Sequence, residues 1–169
     1  MPGKIASELK TKTDAAWANL TRQLKGMEPH LERSDEPGQW TTREVLSHLM
    51  FQPGWDPTRT LKSFATQNLP LMEIVPGDHY LNDERKRMSF KQLVDAIDEQ
   101  RRKVFDVVNG LSDADLQARK ARIPLFKQIM GTDEVPIAQY VGALYEYHWN
   151  DHAGQLAKIR KAVGLPPAA

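Results

Sequence analysis

Apolar residues recur along the chain at alternating steps of three and four, the spacing that places side chains on one face of a helix. Trp17, Leu20, Leu24, Met27 and Leu31 form the first such stripe and predict a helix from about Ile5 to Leu31. The stretch ERSDEPGQW interrupts it with Pro37 and Gly38, which turn the chain. A second helix begins at once. Thr41 and Glu44 have the T-x-x-E spacing of a capping box, and Trp40 ahead of them is placed to pack on Val45. This helix carries Val45, Leu46, His48 and Leu49; QPGWDP (52–57) should kink or end it before TRTLKSFATQN resumes as helix.

From Leu69 to Met88 no period holds, and Pro70, Pro76 and Gly77 mark an irregular crossover, long enough to run along a bundle and cover one end of a site. Ser89 with Gln92 opens the third helix, striped by Phe90, Leu93, Val94, Ile97, Val104, Phe105 and Val108 and stopped by Gly110. After LSDADL and a polar, mixed stretch to Val135, a fourth helix runs from about Pro136 to Val163, closed by GLPP. Four amphipathic helices with little β signal read as an all-α four-helix bundle with a long crossover between helices two and three. A chain of 169 residues suits a single domain of this kind, residues 1–169.

Composition narrows the function. A formal charge of +1, from 23 basic and 22 acidic side chains, gives no basis for nucleic acid or an anionic membrane as partner. With no cysteine, any transition-metal site must be built from nitrogen and oxygen. The N-terminus MPGKIASELKTK lacks the apolar core of a signal peptide, and no run approaches the roughly 20 apolar residues that span a bilayer. A cytoplasmic protein is the expectation.

The candidate chemistry lies in EYHWNDHAGQL (146–156), where His148 and His152 continue the inward stripe Ile137, Val141, Leu144 of helix four. An i, i+4 pair projects two rings from one face, close enough to converge on one ion at about 2.0–2.1 Å. Two packed neutral imidazoles are the alternative. His48, at the edge of the helix-two stripe, supplies a third ring from a facing helix, which is how bundles assemble metal sites. Three imidazoles leave an open position, the mark of a catalytic centre. His30 and His79 fall in turn-rich segments and read as surface residues. Asp151, Glu44, Asn150, Gln155 and Tyr145 are candidate helpers; Trp40, Trp55 and Trp149 could wall a pocket or belong to the core.

WTTREVLSHL (40–49), HWNDHAGQLAKIRKAVGLP (148–166) and the LSDADL segment between them, in this order, resemble the DinB/YfiT-like metal-binding bundle family. The resemblance covers essentially the whole chain. It implies a divalent metal held by His48, His148 and His152, with zinc or nickel expected and iron or manganese as alternatives. It further implies a homodimer, and a low-molecular-weight thiol as cosubstrate of a transferase or isomerase. The break MFQPGWDPTRT after His48 departs from a long uninterrupted second helix. Three classes follow: an enzyme that activates a small thiol or, as a hydrolase, water; a stress-response or binding protein with a structural metal; and a metal-free helical module with packed histidines.

Overall fold

The computed structural model describes residues 1–169. Its elements are α1 (Lys4–Leu24), α2 (Thr42–Leu49), α3 (Pro57–Thr66), α4 (Asp83–Arg87), α5 (Phe90–Asn109), α6 (Asp113–Ala118), β1 (Lys120–Arg122), α7 (Pro124–Met130), β2 (Glu134–Pro136), α8 (Ile137–Val141) and α9 (His148–Ala162). A π turn, Gly142–Tyr147, joins α8 to α9 into one rod, and a 3-10 turn, Glu28–His30, follows α1. The rod from Ile137 to Ala162 packs on α1, α5 packs on α2 and α3, and α2 also meets α9. This is a four-helix bundle with a crossover between its second and third rods.

The caps form where the sequence places them. Thr41 and Glu44 close a reciprocal capping box on α2, and Ser89 and Gln92 do the same on α5. α1 has no capping side chain of its own, and Asp113 serves in its place: its carboxylate accepts from the N–H groups of Lys4 and Ile5 at 3.1 and 3.0 Å. A Cβ on Gly3 would lie 2.2 Å from Asp113 Oδ1, so a larger residue there would displace this carboxylate from the α1 amides. The LSDADL motif thus ties the start of α6 to the start of α1.

Besides α4 and α7, short helices inside stretches that carry no readable period, three elements differ from the sequence expectation. The first helix ends at Leu24, where Lys25 becomes extended and Gly26 takes φ +77°, yet Met27 and Leu31 still reach the core through the 3-10 turn. The polar stretch before helix four contains an antiparallel ribbon, pairing Lys120 with Pro136, Ala121 with Val135 and Arg122 with Glu134. Only Ala121 and Val135 are buried there, so two inward residues carry no readable period. The crossover docks on this ribbon: Arg122 N–H donates to Pro70 O at 2.8 Å and Met72 N–H to Arg122 O at 2.9 Å.

The third difference is the π turn. Its wider winding puts Tyr140, Tyr145 and Trp149 on the buried side, at steps of five and four, while Leu144 is only half-buried. Trp149 packs at 5.2 Å on Trp17 of α1 and 5.0 Å on Tyr145. The face that would continue straight from Leu144 is thereby left to His148 and His152.

No helix is long and apolar enough to cross a membrane.

Candidate metal centre

α2 delivers His48 from its last turn, and α9 delivers His148 and His152 from its first two turns. His48 and His148 are half-buried, and His152 is buried. Their Nε2 atoms converge: His48 to His148 is 2.8 Å and His148 to His152 is 3.1 Å. One ligand atom from each of the three lies within 4.8 Å of those of the others.

The opposite nitrogens fix the proton positions. Nδ1 of His48 faces the backbone oxygen of Asp78 at 2.6 Å, Nδ1 of His148 faces that of Leu144 at 3.3 Å, and Nδ1 of His152 faces Gln155 Oε1 at 2.7 Å. All three oxygens can only accept, so each Nδ1 carries the hydrogen and each Nε2 presents a lone pair. Three lone pairs at this separation repel unless a cation lies between them.

A proton is a poor candidate for that cation. Burial lowers His48 and His152 from the ordinary histidine value of 6.5. Burial, reinforced by the charges His152 and His48 would carry, pushes His148 down to about 3. A divalent ion fits the donor set: nitrogens at about 2.0–2.1 Å from one ion, at angles of about 90–109°, stand about 2.9–3.4 Å apart. The outer acceptors are those that orient metal-ligating imidazoles.

Aromatic rings enclose the cluster. Trp40 lies parallel to His152 at 6.3 Å and tilted against His48 at 4.9 Å. Phe51 covers His148 at 5.7 Å, and Tyr80 lies parallel to His48 at 6.3 Å. Phe51 and Tyr80 adopt φ of +60° and +55°, a region that disfavours side chains. Phe51 takes the position where a helix ordinarily ends on glycine, so the chain leaves α2 just after His48 and the Pro53–Gly54 break lies beyond the cluster.

Among the candidate helpers, Gln155 is in place on His152. Glu44 caps Thr41 N–H at 2.8 Å and turns its other oxygen toward His79 Nε2 at 3.5 Å. Asn150 points away, bonded to Asn19 Nδ2 at 2.9 Å. Asp151 is exposed, Tyr145 and Trp149 are buried in the core, and Trp55 packs on Phe51. His79, read from sequence as a surface residue, is half-buried beside Trp40 at 5.7 Å. Its neighbours Asp78 and Tyr80 hold His48 through a backbone carbonyl and a ring. Neither contact has a sequence signature, because the first uses no side chain and the second crosses 32 residues of the chain.

The model of the DinB superfamily matches residues 12–156. YfiT from Bacillus subtilis, described as a probable metal-dependent hydrolase with an unusual four-helix bundle topology, superposes with a TM-score of 0.72 at 18% identity, covering 95% of this chain and 89% of that one. An uncharacterised protein from Escherichia coli UTI89 superposes with a TM-score of 0.61 at 15% identity, covering 95% of both chains. No curated protein matches the chain.

Proposed function

We propose that this chain, which belongs to the DinB superfamily, is a divalent-metal enzyme whose centre is formed by His48, His148 and His152. On this reading it activates a small nucleophile, a thiol or water, for transfer to a small electrophile. The observation that carries the reading is the convergence of three histidine Nε2 atoms while each ring's Nδ1 faces a carbonyl oxygen. Imidazole nitrogen suits zinc and nickel, and also iron.

When bound, a divalent ion lowers the pKa of a thiol or water placed beside it. The protein contributes the rest. Three neutral donors cancel none of the ion's charge, Asp78, Leu144 and Gln155 keep each ring in the tautomer that binds, and Trp40, Phe51 and Tyr80 limit the water around it. The chain has no cysteine, so a thiol nucleophile comes from solution. The likeness to YfiT favours water as the second nucleophile to test.

Cobalt-substituted protein tests the reading. Addition of a small thiol should change the visible spectrum of the ion in a saturable way. A spectrum indifferent to every thiol and every hydrolysable ester offered, with a large loss of thermal stability on chelation, would show a structural metal instead.

A further inference from the structure

Five side-chain atoms in the interior have no hydrogen-bond partner within the protein: Thr13 Oγ1, Gln100 Oε1, Asn109 Oδ1, Tyr145 OH and Trp149 Nε1. Other hydroxyls of α1 bond back to the carbonyl four residues earlier, as those of Ser7, Thr11 and Thr21 do, so the isolation of Thr13 is not a property of its residue type. Buried polar groups left in this way are costly, and native proteins rarely leave them so.

Four of the five share one layer of the bundle. A Cβ on Gly142 would meet Leu9 Cδ2 at 3.9 Å, and Trp17 packs on Trp149 at 5.2 Å, so α1 and the rod holding the π turn run in step. Thr13, halfway between Leu9 and Trp17, is therefore level with Tyr145. Tyr145 in turn meets Trp149 at 5.0 Å and Phe105 of α5 at 6.5 Å. Arg101 Cζ lies 5.6 Å from the centre of the Trp17 ring, which brings its neighbour Gln100 to the same level. Asn109 stands outside the layer, at the end of α5. Thr13, Tyr145 and Trp149 are fully buried, and the Gln100 oxygen is closed off from solvent.

The chemistry of these atoms defines what would join them. Trp149 Nε1 only donates, Gln100 Oε1 only accepts, and the two hydroxyls do both. The Gln100 amide is oriented, since its Nε2 donates to Met50 O at 3.3 Å and a flipped amide would oppose two acceptors. A shared ligand must accept from the indole N–H and donate to the amide oxygen. An ammonium ion cannot do the first, and a halide cannot do the second. Arg101 offers no charge to balance an anion, because it is paired with Asp14 and Asp98. Burial holds the Tyr145 phenol well above its ordinary range, so it keeps its hydrogen. The small neutral ligand with both capacities is water, which typically makes about three bonds to buried polar groups.

We propose that an internal water molecule binds between α1, α5 and the π turn, accepting from Trp149 Nε1, donating to Gln100 Oε1 and bonding to the hydroxyls of Thr13 and Tyr145. The site is separate from the histidine centre and does not rest on the metal reading.

A crystal structure of the wild type, at a resolution that shows ordered water, tests this together with a bromide-soaked crystal. One spherical peak at about 2.7–3.2 Å from both Trp149 Nε1 and Gln100 Oε1 is expected, with no bromide anomalous signal there. In solution the Trp149 indole hydrogen, identified as the indole signal that survives in each of Trp17→Phe, Trp40→Phe and Trp55→Phe, should show a water NOE of the sign that marks a long-lived internal molecule. Direct bonding of Trp149 Nε1 to a protein oxygen, a layer without a peak, bromide in the peak, or an indole hydrogen without that NOE each overturns the assignment. The crystallographic result needs no variant to fold.

Discussion

Gln155 Oε1 accepts the Nδ1 hydrogen of His152 at 2.7 Å, one turn further along α9. The bond holds the ring in the tautomer that frees Nε2 and makes that nitrogen more basic. Gln155→Leu should weaken metal binding by about 10–100-fold, the range typical of outer-sphere partners, with helicity unchanged. Asp151→Asn, at an exposed neighbouring position, should change it far less. Competition against a chromophoric chelator measures both. Equal effects would mean that charge near the site, and not ring orientation, is what matters.

Trp40 touches two of the three rings, at 6.3 Å from His152 and 4.9 Å from His48, whereas Trp17 and Trp149 pack together in the core. Binding of Co2+ or Ni2+ should quench indole fluorescence mainly through Trp40. In Trp40→Phe most of the quenching should vanish while binding persists by chelator competition. Undiminished quenching in that variant would place the ion elsewhere.

The metal-free protein should lose stability in mild acid. His148 is pushed down to about 3 by burial and by the neighbouring rings, and His48 and His152 are lowered chiefly by burial, whereas the unfolded chain protonates histidine near 6.5. Between those values the unfolded state binds more protons, so stability rises with pH. The contribution is fully present above about pH 6.5 and is lost progressively as pH falls toward about 3. Denaturant midpoints of chelator-treated protein should therefore fall between about pH 7.5 and pH 5, and fall less in His148→Leu. A midpoint that holds steady or rises on acidification contradicts burial of neutral rings.

Asp113→Ala removes both acceptors at the start of α1 without touching the core. Loss of an N-terminal cap costs about 1–2 kcal/mol, which in a chain of this size lowers the melting temperature by roughly 2–8 °C. Calorimetry should show that fall with metal content unaltered. No change in melting temperature would mean that solvent satisfies the α1 amides equally well.

Periodicity reveals the rods because burial of one helix face repeats every three or four residues, and the paired capping residues at Thr41 and Ser89 mark two of their starts. The same logic brings His48, His148 and His152 inward, since all three extend apolar stripes. It fails where the backbone departs from the period. The π turn shifts the register between Val141 and His148, so Tyr145 and Trp149 enter the core although a regular helix would send Leu144 there. It also fails where the contact is made by a main-chain atom, as with the Asp78 carbonyl on His48. Arg85 looks like one of a run of charged residues, ERKR, and only the fold distinguishes it from its exposed neighbours.

The most direct test of the shared centre is the metal content of untagged protein by elemental analysis, for the wild type and for His48→Ala, His148→Ala and His152→Ala. About one divalent ion per chain is expected in the wild type, with most of it lost in each variant. Full metal content in any one of the three variants, with the fold intact, would contradict a centre built from all three rings.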